Sequence, residues 1–189
     1  MRKQKGFSLI ELLIVVAIIL IIAAIAIPNL LRAKISANES SAVGSVRNII
    51  TAEASYSSSY PQYGFGATLN ILGPNGGAGC PGGPNPTVGA CLLDSALAGG
   101  AISTKSGYIF EAVGSQPAPP DPITGIAALT NFTASASPVT YNQTGVRVFC
   151  AGNDGVLRQN PNTGGGFTGA QNFTPWAATC TPLPWVILQ

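Results

Sequence analysis

The N-terminal part of the chain is a continuous apolar run. Leu12 to Ile27 are sixteen consecutive apolar residues, and the flank back to Phe7 makes 21 residues, interrupted only by Ser8 and Glu11. A helix that spans a bilayer needs about 20 predominantly apolar residues. The pattern therefore predicts a membrane-spanning helix over residues 7–27.

After Pro28 the pattern becomes amphipathic. Apolar residues recur at steps of three and four, or at two turns: Ile35, Val43, Val46, Ile49 or Ile50, and Ala54. Polar residues fall largely between them: Arg32, Lys34, Asn38, Glu39, Arg47 and Glu53. This spacing is helical and predicts one helix over residues 7–57, about 75 Å long at 1.5 Å per residue. Pro28 is expected to kink the helix or to mark the end of the span, and both can hold.

The middle of the chain is rich in glycine and proline. Residues 64–100 contain eleven glycines and four prolines, a composition that favours an irregular loop over a packed sheet. Cys80 and Cys91 bracket part of this stretch. We expect it to be disordered unless the two cysteines are bridged.

Strand patterns begin after residue 100. Residues 107–113 and 131–136 are β-prone, with 140–141 as the exit of the second strand, and 145–150 and 156–158 read as a hairpin. Asp154-Gly155 supplies the turn between the hairpin strands. A calcium loop there is disfavoured because calcium takes six to eight oxygens and usually several carboxylates. The prediction is an α+β fold: a long N-terminal α-helix packed on a small antiparallel β-sheet head, residues 58–189, with disulfide-closed loops.

Composition narrows the function classes. Apolar residues make up 46% of the chain and charged residues 8%, against about 25% charged in an ordinary soluble domain. No histidine is present, which removes Ser-His and Cys-His nucleophile pairs, histidine-ligated zinc and a histidine base. A net charge of +2 without a basic patch argues against a nucleic-acid groove. We therefore expect no enzyme activity, no cofactor, no metal and no direct nucleic-acid partner.

Four cysteines allow three disulfide connectivities. Cys80–Cys91 and Cys150–Cys180 are favoured because each would close a loop without periodicity of its own. The chain-entropy model gives about 2.8 kcal/mol for the first loop and about 3.7 kcal/mol for the second. An even cysteine count beside an export signal indicates an oxidising compartment.

The leader leaves two possibilities for the apolar run. Three of the nine basic residues lie in the first five positions, which predicts a cytoplasmic N-terminus. A secretory signal peptide would be cut after a small-x-small site such as Ala24-Ile25-Ala26. A cut after Gly6, just before Phe7, would instead keep the apolar run on the mature chain. Glu11 favours the second possibility because an intramembrane carboxylate costs about 2.5–3.5 kcal/mol near a helix centre and is a functional hypothesis by default.

These residues resemble a known family. The stretch Gly6-Phe7-Ser8-Leu9-Ile10-Glu11, the apolar run and the closing Ala26-Ile27-Pro28 are similar to the N-terminus of type IV prepilins and pseudopilins. The resemblance implies that a prepilin peptidase removes residues 1–6 and methylates the amine of Phe7. It also assigns Glu11 to subunit registration in a filament. The implied partners are copies of the same chain, the peptidase, the inner-membrane assembly platform with its ATPase, and membrane lipid before assembly.

The leading functional hypothesis is a type IV pilus subunit, held in the bacterial inner membrane with its N-terminus in the cytoplasm and then assembled into a cell-surface filament. The alternatives are a pseudopilin of a type II secretion system or a minor pilin and, more distantly, a membrane-anchored periplasmic enzyme or sensor. The long glycine-rich stretch and the C-terminal disulfide favour a fibre surface. Motility, adhesion and DNA uptake are not distinguished by the sequence.

Overall fold

A computed structural model of the chain describes residues 8–74, 80, 83–161, 180 and 186–188. Its contacts divide the chain into two compact units, one up to Lys34 and one from Ile35 onward. The first unit lies mostly in the long helix, and the second contains the sheet. The boundaries expected from the sequence, at residues 6 and 57, stay predictions.

The long helix, α1, covers Leu9–Ser59 and contains Pro28. By length and composition it is, among the described residues, the one helix suited to crossing a membrane. Between Leu9 and Leu31 its large apolar side chains are 45–80% exposed. Phe7, where the helix was expected to begin, lies outside the described residues.

From Ile35 onward, α1 buries one face within the second unit. The buried side chains recur at helical spacing: Glu39, Ala42, Ser45, Val46, Ile49, Ala52, Glu53 and Tyr56. The apolar members of this face join the hydrophobic core together with side chains from the sheet. Alanines and an alternation of small with large side chains let the helix lie close to its neighbours.

The sheet has six strands in sequence order, and every neighbouring pair is antiparallel. The strands are β1 Ile102–Lys105, β2 Tyr108–Pro117, β3 Leu129–Pro138, β4 Arg147–Gly152, β5 Arg158–Pro161 and β6 Val186–Ile187. The register places Phe110 opposite Ala136 and Ala136 opposite Phe149, and all three are core residues. The predicted α+β class is confirmed. β2, β3 and β4 overlap the predicted segments 107–113, 131–136 and 145–150, whereas β5 shares only Arg158 with the predicted segment 156–158.

The sheet is larger than the three to four strands predicted. β1 is a short edge strand, Ile-Ser-Thr-Lys, whose polar composition hides it from a search for apolar alternation. β6 has two residues and pairs with β5 through Arg158 and Gln159. Both outer strands are defined by backbone pairing and not by a buried side-chain pattern, so neither could be found from alternation alone.

The described part of residues 64–100 is mostly loop and turn, as predicted, but it is more ordered than a purely irregular loop. Two short helices, α2 Leu69–Leu72 and α3 Ser95–Ala98, lie in this stretch. Leu69, Leu72 and Leu97 are buried in the core. The leucines provide the apolar burial that the glycine-rich composition conceals.

Candidate functional site

Glu11 lies in the first turn of α1 and is exposed. One of its carboxylate oxygens accepts the backbone N–H of Ser8 at 3.0 Å. A carboxylate at a helix N-terminus satisfies a free amide and interacts favourably with the helix dipole. The residues proposed for cleavage and methylation, Gly6 and Phe7, lie outside the described residues, so their pairing with Glu11 stays a prediction.

The first unit presents an apolar helix with no core of its own. Its large side chains are exposed on all sides of the helix from Leu9 to Leu31, and Pro28 lies near the end of this stretch. A helix that is apolar all round is normally covered by lipid or by other protein. This segment therefore offers an apolar surface that lipid or another protein can cover.

The cysteines form two disulfides, Cys80–Cys91 and Cys150–Cys180, with Cα–Cα distances of 6.3 Å and 5.8 Å. This is the connectivity that the loop argument favoured. Cys150 lies on β4, so the second bridge fastens residue 180 to the sheet. Within the described part of the chain, no cluster of metal-ligating side chains is present.

An ion pair between the buried Glu39 and the partly exposed Arg147 joins α1 to the start of β4. Glu39 accepts the backbone N–H groups of Val146 and Arg147 at 3.0 Å and 3.1 Å. Its second oxygen binds the Arg147 guanidinium at 2.8 Å and 2.6 Å. Asn38 adds a bond to the carbonyl of Thr144 at 2.9 Å. These contacts fix the part of α1 around Glu39 to the start of β4.

A second glutamate on the same helix has very different surroundings. The Glu53 side chain is fully buried, and one of its oxygens accepts the Gly66 N–H at 2.8 Å. The other oxygen has no hydrogen-bond partner among the described residues. Burial raises the pKa of Glu53 to about 8, although the Gly66 hydrogen bond opposes the shift.

Sequence patterning placed both glutamates among the polar positions between the apolar ones, and it missed their burial. The signal was their spacing: Glu39, Val46 and Glu53 are seven residues apart, so they share one face of the helix.

The turn prediction at the β4–β5 hairpin fits the structure. Asp154 accepts the Val156 N–H at 3.0 Å and pairs with Arg158 at 2.5 Å.

Comparison with known proteins finds a family model and relatives that match part of the chain. A family model described as "Prokaryotic N-terminal methylation motif" matches residues 1–27. The type IV wide pilus major component PilA4 of Thermus thermophilus is 67% identical over 39 residues, which cover 21% of this chain and 30% of that protein. The type IV major pilin protein PilA of Myxococcus xanthus is 44% identical over 61 residues, 32% of this chain and 28% of that protein.

These matches cover less than a third of either relative's length. No solved structure matches the chain. The methylation motif covers residues 1–27, which include Gly6, Phe7 and Glu11. The predicted resemblance is therefore confirmed: residues 1–27 carry the methylation motif, and part of the chain is similar to two type IV pilus proteins.

Proposed function

We propose that this protein is the structural subunit of a type IV pilus, stored in the bacterial inner membrane and polymerised into a surface filament. The observation that carries the proposal is the methylation motif leading directly into a helix whose large apolar side chains are 45–80% exposed from Leu9 to Leu31. Such a helix needs a nonpolar environment. Lipid provides it before assembly, and neighbouring copies provide it in the filament.

Assembly is then a transfer of the apolar helix from lipid to protein. The side chains from Leu9 to Leu31 leave the bilayer and pack against the same segment of other copies, so they are never exposed to water. The peptidase prepares the chain, and the assembly platform with its ATPase extracts it. The unit from Ile35 onward folds around its own core, so it does not need the filament to bury its apolar residues.

Processing is the first test of this proposal. A prepilin peptidase should cut between Gly6 and Phe7 and methylate the new amine, which leaves the apolar run on the mature chain. Mass spectrometry of the mature N-terminus measures both events. A chain that begins at Ile27 would identify an ordinary signal peptide and contradict the pilus proposal.

Glu11 is the second test. Near the end of a membrane span the carboxylate is tolerated because water and headgroups are close, but an unpaired carboxylate in a filament core is costly. The Phe7 amine of a neighbouring copy would compensate, since opposite charges 4 Å apart gain about 4 kcal/mol at an effective dielectric constant of 20. Glu11→Ala should give a stable, processed, membrane-resident subunit that enters filaments poorly, and Glu11→Asp should be partly defective.

Glu11→Gln is the matched control. Its amide oxygen can still accept the Ser8 N–H, but it carries no charge. Immunoblots of membrane and sheared-filament fractions should show Glu11→Gln to be as defective as Glu11→Ala. Normal filament yield from the glutamine variant would assign Glu11 to the local helix cap and rule out charge pairing.

The same N-terminal motif also fits a pseudopilin of a type II secretion system or a minor pilin. Both relatives matched here are named as major pilus components, which favours the major subunit. The amount of this protein in sheared surface filaments separates the two: a major subunit dominates the fraction. A deletion strain tested for surface filaments, twitching, adhesion and DNA uptake would then assign the filament's role.

A further inference from the structure

Glu53 is a buried carboxyl group beside the hydrophobic core, and it has no role in the assembly mechanism proposed above. Its side chain has no exposed surface, and Leu72 and Tyr56 are buried neighbours in the same core. Glu53 contacts the segment after α1 through a single hydrogen bond, from the Gly66 N–H to one carboxyl oxygen at 2.8 Å. Its other oxygen is buried without a partner among the described residues.

No charge compensates Glu53. On α1, the titratable group that interacts with Glu53 is Tyr56, and burial raises the pKa of Tyr56 to about 12, so it is neutral at physiological pH. The α2 sequence Leu-Asn-Ile-Leu carries no ionisable group. On β2, Glu111 alternates with the core residues Phe110 and Ala112, and it adds no charge interaction to Glu53. An ionised Glu53 would therefore be a buried charge with one amide donor, which is strongly unfavourable.

The segment that Glu53 holds is fastened to the sheet. The Phe65 N–H donates to the Leu129 carbonyl at 3.0 Å, and the Leu129 N–H donates to the Tyr63 carbonyl at 2.8 Å. The Gly114 N–H donates to the Ala67 carbonyl at 3.1 Å. The Glu53–Gly66 hydrogen bond thus connects α1 to a segment that is itself bonded to β2 and β3.

Gly66 allows this close approach. A Cβ at this position would lie 3.4 Å from each Glu53 carboxyl oxygen and 3.1 Å from a Leu72 methyl group. A larger residue would have to push the carboxyl or the leucine aside. The glycine therefore lets the backbone N–H meet the carboxyl inside the core.

We propose that Glu53 is a proton-operated latch, which in its neutral form holds residues 63–68 against α1 and in its ionised form weakens this attachment. The direction of the pH effect follows from linkage. The folded chain keeps a proton that the unfolded chain loses, between the ordinary pKa of 4.5 and the folded-state pKa of about 8. The stabilisation is complete below the lower value. Between the two pKa values, the ratio of folded to unfolded protein falls by up to tenfold for each pH unit. Above the higher value, the ratio no longer changes with the ionisation of Glu53.

The experiment compares wild type with Glu53→Gln, using the full mature chain in detergent micelles. Glutamine has the same shape and accepts the Gly66 N–H, but it does not ionise. Denaturant unfolding is followed by near-ultraviolet circular dichroism from pH 4.5 to pH 8. The ratio of the two folding constants should shift in favour of Glu53→Gln by up to about a thousandfold across this range. Other groups, Glu111 included, titrate in both proteins and cancel in the comparison.

Glu39→Gln is the control on the same helix. It removes a glutamate paired with Arg147, so it should destabilise the protein at pH 8, where Glu53→Gln should stabilise it. If Glu53→Gln fails to fold, Glu53→Met provides the second variant: methionine loses the Gly66 bond but cannot ionise, and its pH profile should differ from wild type in the same direction.

Hydrogen exchange locates the effect. As pH rises from 5 to 9, peptides covering residues 63–72 should lose protection in wild type relative to Glu53→Gln at the same pH. Peptides from β3 and β4 should change less. Parallel pH profiles for wild type and both Glu53 variants would overturn the latch, even if the chain still forms filaments.

Discussion

The two halves of α1 differ in where their apolar side chains find partners. Up to Lys34, the large apolar side chains are exposed, and from Ile35 onward Val46, Ile49 and Tyr56 are at most 2% exposed. The first half is apolar on all sides, and the second half is amphipathic with helical spacing. The second half packs against the chain's own sheet, whereas the large apolar side chains of the first half have no partner within the described part of the chain.

The glutamates of α1 also differ between the two halves in their surroundings. Glu11 is exposed and accepts a local amide, Glu39 is buried in an ion pair, and Glu53 is buried without a cation. In the second half, Arg147 compensates the charge of Glu39, whereas Glu53 has no cation beside it among the described residues. In the first half, no cation pairs with the Glu11 carboxylate among the described residues.

The largest expected effect separates the two halves directly. Ile49→Ala removes a fully buried side chain and should lower the free energy of unfolding by about 2–5 kcal/mol. Ile19→Ala removes a side chain that is 57% exposed and should leave this free energy within about 0.5 kcal/mol of wild type. Denaturant unfolding of both variants in detergent micelles measures the difference.

The yield of sheared filaments should respond to the Ile19 substitution, which leaves folding stability unchanged. Ile19→Ala should reduce the yield of sheared filaments, since it removes apolar surface that neighbouring copies would bury. Equal losses of folding stability in the two variants would show that the first half also packs against the head, and the comparison would fail.

The next effect concerns the ion pair. Glu39→Ala should lower the free energy of unfolding by about 3 kcal/mol because it leaves the part-buried N–H groups of Val146 and Arg147 without their acceptor. The Arg147 side chain is 41% exposed, so its guanidinium stays solvated and adds less. Arg47→Ala, an exposed substitution on the same helix, is the control and should change stability by less than about 0.5 kcal/mol. Matching losses in the two variants would contradict the anchoring role of Glu39.

The parts of the fold that could be predicted are those with a side-chain pattern. The amphipathic part of the helix followed from apolar spacing, and β2 followed from a β-prone run bounded by Gly107 and Gly114. β1 could not be found because a polar edge strand is defined by its neighbour's backbone. α2 was hidden because Leu69 and Leu72 lie among glycines, and only the folded chain shows that both are buried.

The candidate site divides in the same way. Gly6, Phe7 and Glu11 were singled out because a cleavage motif is a local pattern, and their roles stay predictions. The burial of Glu39 and Glu53 could not, because a glutamate on a helix reads as a solvent-facing residue unless the spacing to Val46 is given more weight than its charge. Their partners, Arg147 and Gly66, are 108 and 13 residues away along the chain, and no local pattern connects them.

The smallest expected effect tests how much the second half of α1 depends on one polar contact. The Tyr56 hydroxyl donates to the Pro86 carbonyl at 2.5 Å, while its ring is buried in the core and lies 5.1 Å from the Tyr60 ring. Tyr56→Phe keeps the ring and removes the hydrogen bond. Water can reach the half-buried Pro86, so the loss should be about 1 kcal/mol, or about 2–4 °C in Tm.

Tyr60→Phe is the control, since its hydroxyl makes no hydrogen bond to the described residues, and its Tm should be unchanged. Because burial raises the pKa of Tyr56 to about 12, the difference between the variants should be constant from pH 6 to pH 9. A loss as large as that of Ile49→Ala would mean that the hydroxyl, and not the buried ring, holds the helix to residues 83–93.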